Sequence, residues 1–383
     1  MRKAIIDGFR QLVSRPIYLI VMVIVPMVTA WFLLDLMREG LPLQLPTAIV
    51  DLDHTTTSRR TARNLAANEL VDVTYSPETY HDAMQLLRKG KIYGFFMIPA
   101  NFERDAISGK ETTITYYVNL AYYVPGSLSF KSFKQTAVTT QGGIMVTSLV
   151  SAGVGEDLVQ SMVQPVVTQG HPYGNPWTNY SIYLSNSFIP CALQLIIFQI
   201  TAFSFLQEIK RGSSIQWIED AGGSIVKACF GKLIPQFIIF AVVGMAILGM
   251  LYGLCHFPLN GSVWGMVVAM LLFVAASQAF ALTICAIIPN LRFALSILSL
   301  TGILSFSIAG FSFPVEQMYG GVGIFSYILP IRYYFLIYIN TALNGYELYY
   351  CRWDFVALIV FLALPFTMLW KLKRYAYHPV YIP

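Results

Sequence analysis

Six runs of about twenty residues in this chain carry no charged side chain and no histidine. They are Ile17–Leu34, Leu184–Leu206, Leu233–Leu254, Val263–Ile288, Ala294–Ser312 and Phe355–Trp370. A helix rises about 1.5 Å per residue, so roughly 20 apolar residues match the hydrocarbon core of a bilayer. Composition agrees: 56% of residues are hydrophobic and 12% charged, where a soluble domain holds about a quarter charged. The reading is an α-helical polytopic membrane protein. Its net charge of +5 comes with no basic-aromatic block, so nucleic acid is not expected as a partner.

The distribution of Lys and Arg sets the orientation. With six spans and an inner N-terminus, the short inner pieces hold twelve Lys/Arg, and the short outer ones only Arg332 and Arg352. Residues 1–16 place Ile5, Ile6, Phe9, Leu12 and Val13 on one helical face, which suits an amphipathic helix along the cytoplasmic interface. Residues 17–34 are then an uncleaved first span, and residues 371–383 a cytoplasmic tail. Gly323–Asn340 is apolar enough to span but carries Pro330 and Arg332, and a seventh span would put Lys371, Lys373 and Arg374 outside. Residues 313–345 are therefore expected to form a re-entrant hairpin buried against protein.

Between the first two spans lie residues 38–180, with mixed charge and scattered Pro and Gly. They read as an inserted α/β extracytoplasmic domain. Its expected strands are Pro46–Asp51, Val71–Tyr75, Ile92–Ile98 and Thr112–Val118. Its expected helices are Ser58–Ala67, one opened by Ser76-Pro77 and stopped at Gly90, one opened by Pro99, and a helical stretch from Ser127 to about Val167. Asp51, Asp53 and His54 invite a metal or acid–base reading, but no HExxH-like spacing accompanies them, and an acidic strand end before a Thr/Ser-rich cap is ordinary. No enzyme is expected here. The five cysteines show no metal-ligand spacing, and the sequence leaves open whether Cys255 and Cys351 pair.

A carrier coupled to protons or sodium would place ionisable residues at mid-membrane depth, and these spans have none. GxxxxGK[ST] is absent too, so this chain does not hydrolyse ATP through a P-loop. Either transport is passive or another polypeptide drives it through an inner contact. Residues 208–223, EIKRGSSIQWIEDAGG, suit such a contact: Ser213 and Gln216 form an S-x-x-Q capping pattern, and a short helix follows, ended by Gly222-Gly223.

This stretch, with Gly231-Lys232-Leu233 and Pro235 after it, resembles the first cytoplasmic loop of the ABC-2 type permeases. AGFSFPVEQM followed by FSYILPIRYYFLIYINTALNG resembles that family's segment after the fifth span. AIVDLDHTTTSRRTARNL and GKIYGFFMIPANFERDAISGK resemble the extracytoplasmic insert of its drug-efflux subgroup. The resemblance implies the permease subunit of a type V-like ABC exporter, without an ATPase site or cofactor of its own. ATP and Mg would be bound by a partner ABC ATPase subunit, and two permease copies or paralogues would pair. It also leaves room for a periplasmic adaptor and an outer-membrane channel. The expected location is a bacterial inner membrane, with both termini cytoplasmic and membrane lipid around the spans.

The resemblance assigns Glu208, Lys210, Arg211, Gly212, Ser213, Gln216 and Trp217 to ATPase coupling. Pro314, Glu316, Pro330 and Arg332 fall to a hairpin near the outer gate. Lys210 stands where the family has an acidic residue, and Ser213 to Ile215 stand for its Thr-Leu-Glu, which weakens any one salt bridge but not the helix. Along the second and fifth spans, Asn186, Gln194, Phe198, Gln199, Ser305 and Ser307 are the candidates for a substrate path, drug-like or lipid-like. Packing between helices is the competing role for each. A membrane anchor or sensor whose outer domain binds a partner is the alternative function.

Overall fold

A computed structural model describes residues 2–166 and 169–378, which fall into two compact units, Leu41–His171 and the remainder. The remainder begins with α1 (Arg2–Val13). Next come α2 (Pro16–Leu19), a π-helical stretch at Ile20–Ile24 and α3 (Val25–Leu36), one continuous apolar rod. Within α1, Gly8 and Leu12 are buried against the rest of the unit, while Ile6 and Val13 of the apolar face are exposed. A Cβ on Gly8 would clash with the carbonyl oxygen of Gly231, so glycine is what lets α1 approach that backbone.

In the unit Leu41–His171, what the structure shows of the expected α/β insertion is a small four-stranded sheet with helices on both faces. In chain order come β1 (Leu45–Asp51), α4 (Thr56–Ala66), β2 (Val71–Tyr75), α5 (Tyr80–Arg88), β3 (Gly94–Ile98), α6 (Phe102–Ile107), β4 (Thr115–Val118), α7 (Tyr123–Ser151) and α8 (Glu156–Val163). The strand order is β2-β1-β3-β4, with β4 antiparallel to β3 and the other pairs parallel. Central β1 is nearly continuous in burial, as a parallel strand covered on both faces must be. Ile49, Phe96 and Ile98 pack with Leu65 and Phe133 on one side; Ala48, Val50 and Phe95 meet Ala83 on the other.

Two local expectations fail here. Helix α5 is capped by Thr79, whose hydroxyl accepts from the Asp82 N–H, rather than opened by Ser76-Pro77; α6 starts at Phe102, three residues past Pro99. At α5 a later threonine supplies the cap, whereas at α6 Asn101 caps nothing and Asp53 Oδ2 accepts from the Glu103 N–H in the first turn. The helical stretch expected to about Val167 is broken at Ala152–Gly155, and its last residue lies outside the described residues.

The chain then enters α9 (Tyr180–Arg211), the short α10 (Ser214–Asp220) and α11 (Ile225–Leu248), which a π-helical turn extends to Leu254. Next are α12 (Val263–Ile287) and α13 (Leu291–Ile308). A 3₁₀ turn at Val315–Gln317 leads to α14 (Gly320–Tyr327) and α15 (Pro330–Ile337), which π-helical residues extend to Leu343. A second 3₁₀ turn, Leu348–Cys351, opens α16 (Arg352–Tyr377), so most of the expected tail is helix and its end lies outside the described residues. Among the described residues six helices are long and apolar enough to cross a membrane, or seven if the bent pair α14–α15, with its 78° break, counts as one span.

The core of this unit sits around α9 and α12, whose span windows are 72% and 67% buried, against 22% for α13 and 28% for α16. Phe198 meets Phe280 at 5.2 Å between ring centroids, and Phe273 meets Tyr334 at 4.9 Å. Cys351 is buried beside the Thr341 hydroxyl while Cys255 is exposed, and both are free thiols.

Candidate functional site

The segment joining α9 to α11 is built around one ion pair. Glu208 lies in the last turn of α9 and Lys232 two turns into α11; Lys232 Nζ sits 2.6 Å from Glu208 Oε1. The ammonium also donates to the Ser204 carbonyl at 2.7 Å and lies 5.1 Å from the centroid of the Trp217 ring. Gln11 Nε2 of α1 donates to Glu208 Oε1 at 2.9 Å, and the Ser213 hydroxyl donates to Oε2. The lysine side chain is only 5% exposed and the glutamate 15%, so these hydrogen bonds supply what water would. Gln236 Nε2 extends the network by donating to Ser204 Oγ at 2.8 Å.

This geometry corrects the capping pattern. Ser213 is the residue before α10, but its hydroxyl is spent on Glu208 and caps no helix N–H. The turn is made instead by Gly212, whose φ of +72° ends α9 in a left-handed conformation that side chains other than glycine adopt at a cost. Helix α10 is tied down elsewhere: Ser214 Oγ donates to the Ala376 carbonyl of α16 at 2.7 Å, and Ile218 is fully buried. Trp217 turns inward, its ring 5.7 Å from Phe205 at 76°. Lys210, Arg211, Gly212, Ile215, Gln216, Glu219 and Asp220 are exposed, and Asp220 pairs with Lys3 at 3.9 Å. Seven of the linker's residues thus form one outward face on a fixed support.

Sequence reasoning missed how much of that support lies elsewhere. The sequence places Lys232 in the Gly231-Lys232-Leu233 stretch but gives it no partner, and nothing in it singles out Gln11, Ser204 or Gln236. The available signal was a lysine inside the otherwise apolar GKLIPQF, with a carboxylate across one short loop.

The hairpin residues part company. Pro330 opens α15, and Gln194 Oε1 accepts from the next N–H, that of Ile331, at 3.0 Å. Arg332 is buried with its guanidinium 4.8 Å from the Tyr327 ring centroid and its Nη1 directed at the Ala309 carbonyl at 3.4 Å. Pro314 and Glu316 are exposed on the preceding turn. Of the path candidates, Asn186, Gln194, Phe198 and Ser305 are buried inside the unit. Gln194 Nε2 donates to Ser305 Oγ at 3.2 Å, Asn186 accepts from Tyr252 Oη at 3.2 Å, and Gln199 Nε2 donates to Ser299 Oγ at 3.0 Å. Ser307 alone is exposed.

In the sheet-bearing unit, the Asp51–His54 stretch does structural work. Asp51 accepts from the Asp53 and His54 N–H groups and from Ser58 Oγ, and Asp53 Oδ2 accepts from Thr55 Oγ1 and the Glu103 N–H. Hydrogen bonds from Thr57 and then Thr56 hold the Glu103 carboxyl below its ordinary range. Among the described residues no cluster of His, Cys, Asp and Glu could hold a metal ion.

A family model described as ABC-2 family transporter protein matches residues 16–371. A comparison with curated proteins finds no match.

Proposed function

The chain belongs to the ABC-2 family of transporter proteins, membrane components that are not themselves ATPases, and on that premise we propose that it is the permease subunit of an ATP-driven exporter. The family implies an ABC ATPase partner. In this reading the outward face of α10 docks on that ATPase. The observation that carries it is the pairing of an exposed face (Ile215, Gln216, Glu219) with an inner face anchored to α16 by Ser214 and to α9 and α11 around Glu208–Lys232. A helix that docks on a moving partner must be fixed to the spans it moves.

The rest of the reading follows from orientation. The α9–α11 side and both termini face the cytoplasm of a bacterium, the unit Leu41–His171 is the extracytoplasmic α/β domain, and α14–α15 re-enter the membrane from outside. Two copies, or this chain and a paralogue, pair; the low coverage of α13 within its own chain supports a second subunit there. Substrate, drug-like or lipid-like, is exported between α9 and α13 of the two subunits. An adaptor and an outer-membrane channel extend the route where a periplasm exists. The burial of Asn186, Gln194 and Phe198 gives them a packing role in this conformation, leaving Ser307 as the exposed path candidate.

The test is co-expression with a candidate ABC ATPase subunit from the same genome. The expected result is a stable complex whose ATP hydrolysis in liposomes responds to substrate. If the Gln216→Ala and Glu219→Ala variants both keep full ATPase association and activity, the docking reading fails, and the membrane-anchor alternative takes its place.

A further inference from the structure

Helices α11, α12 and α16 leave an open groove of about 360 Å³ on the surface of their unit. Its floor and walls are almost wholly hydrocarbon: Phe230, Ile234 and Phe237 from α11, Ala279 from α12, and Phe366 and Leu369 from α16. The groove follows α11 from Val226 to Phe237, about 16 Å of helix rise, close to the ~15 Å of one leaflet. One end of this groove is basic. Lys227 stands one turn before Phe230 on α11, and Lys373 one turn beyond Leu369 on α16. Lys373 Nζ donates to the Gly223 carbonyl at 3.3 Å, just before the start of α11, so by helix position both lysines belong to the end of the groove nearest the α10 linker. Of the linker's carboxylates, Asp220 lies beside Lys3.

We propose that this groove seats one acyl chain of an anionic membrane phospholipid, with the lipid phosphate held at the mouth by Lys227 and Lys373. A chain-length apolar slot ending in ammonium groups matches the amphiphile's two halves, and basic pockets between membrane helices recognise anionic headgroups. No neutral tail ligand uses the lysines, and free phosphate uses none of the slot. The site borders the α10 linker, since Gly223, to which Lys373 donates, ends that linker. It does not depend on the transport reading, because any protein with these three helices in a bilayer would offer it.

The experiment is native mass spectrometry of the full chain purified in mild detergent and equilibrated with equal phosphatidylglycerol and phosphatidylcholine. The expected result is preferential retention of phosphatidylglycerol. Lys227→Gln with Lys373→Gln lowers that retention by roughly fivefold per lysine and leaves phosphatidylcholine unchanged. Ala279→Phe, which fills the slot, lowers retention of both lipids. Should the chain keep the two lipids equally, or should the lysine variant leave the preference intact, only ordinary surrounding lipid is present and the proposal is overturned. The same holds if phosphatidylglycerol is excluded because a second copy covers the groove. The lysines lie outside the core, so this variant tests the site even if Ala279→Phe fails to fold.

Discussion

Lys232 Nζ lies 2.6 Å from Glu208 Oε1, joining the end of α9 to the start of α11 beneath the α10 linker. The pair is almost sheltered from solvent, so each charge depends on the other. Removing one partner strands a buried charge, which costs about 3–5 kcal/mol, whereas replacing both by apolar residues is often near neutral.

Lys232→Met should therefore lower the thermal unfolding temperature of the detergent-solubilised chain more than the Lys232→Met, Glu208→Leu double variant does. A double variant no more stable than the single one would show that the pair contributes little beyond packing.

Trp217 and Gln216 are neighbours with opposite duties. Trp217→Ala removes a ring packed on Phe205 and Lys232, and its half-buried position sets the loss at about 2 kcal/mol, below the 3–5 kcal/mol of fully buried aromatics. Gln216→Ala should leave unfolding unchanged and weaken ATPase binding. Differential scanning fluorimetry together with pull-down separates the two; equal unfolding temperatures for both variants would contradict the inward placement of Trp217.

Gly8→Leu has no room against the Gly231 carbonyl, so α1 must lift from α11. The expected outcome is faster proteolysis within residues 2–13 while the spans stay intact. Gly321→Leu, at an exposed glycine with open space around it and no left-handed backbone, should leave that proteolysis unaltered.

Gln194→Leu orphans the buried Ile331 N–H at the break between α14 and α15, at a cost of about 1–3 kcal/mol. Ser305→Ala removes only one interhelical partner and should cost about 0.6 kcal/mol. Unfolding measured for both variants checks the order; a larger loss for Ser305→Ala would reverse the assignment of Gln194 as the cap of α15.

Glu103 is held below its ordinary 4.5 by the Thr57 and Thr56 hydroxyls, so its folded form binds protons less readily than the unfolded chain. Its stabilisation is present above that ordinary value and is lost as pH falls through the lower, folded one. Protection of residues 51–60, taken relative to the intrinsic exchange rate at each pH, should therefore fall in acid in the native chain, and Glu103→Gln should flatten the part of that pH dependence due to this carboxyl. An unchanged profile in the variant would remove Glu103 from the network.

Much of the helical framework was legible because lipid forces each span to satisfy its own backbone, which writes it locally as an unbroken apolar run. The strands β1 to β4 were legible for a similar reason, since short β-branched and aromatic runs between Gly and polar turns leave few alternatives. Span ends were less so: α11 begins at Ile225, eight residues before its apolar run, because Ser224 caps it and Lys232 finds a partner inside the fold. The capping pattern at Ser213 misled because the hydroxyl had a stronger competitor, a carboxylate fixed by Lys232 and by Gln11, which lies 197 positions away in the chain.

By itself the sequence determined that the chain holds membrane-spanning helices, a small sheet between the first two, and a polar helix-forming linker after the second. Tertiary structure alone decided which faces look inward. Runs of like composition became a central helix in α9 and a peripheral one in α13, and the aromatic of the linker became a half-buried prop for Lys232. The physical reason is that hydropathy is summed along the chain, whereas burial and charge pairing depend on which distant segments arrive at the same place.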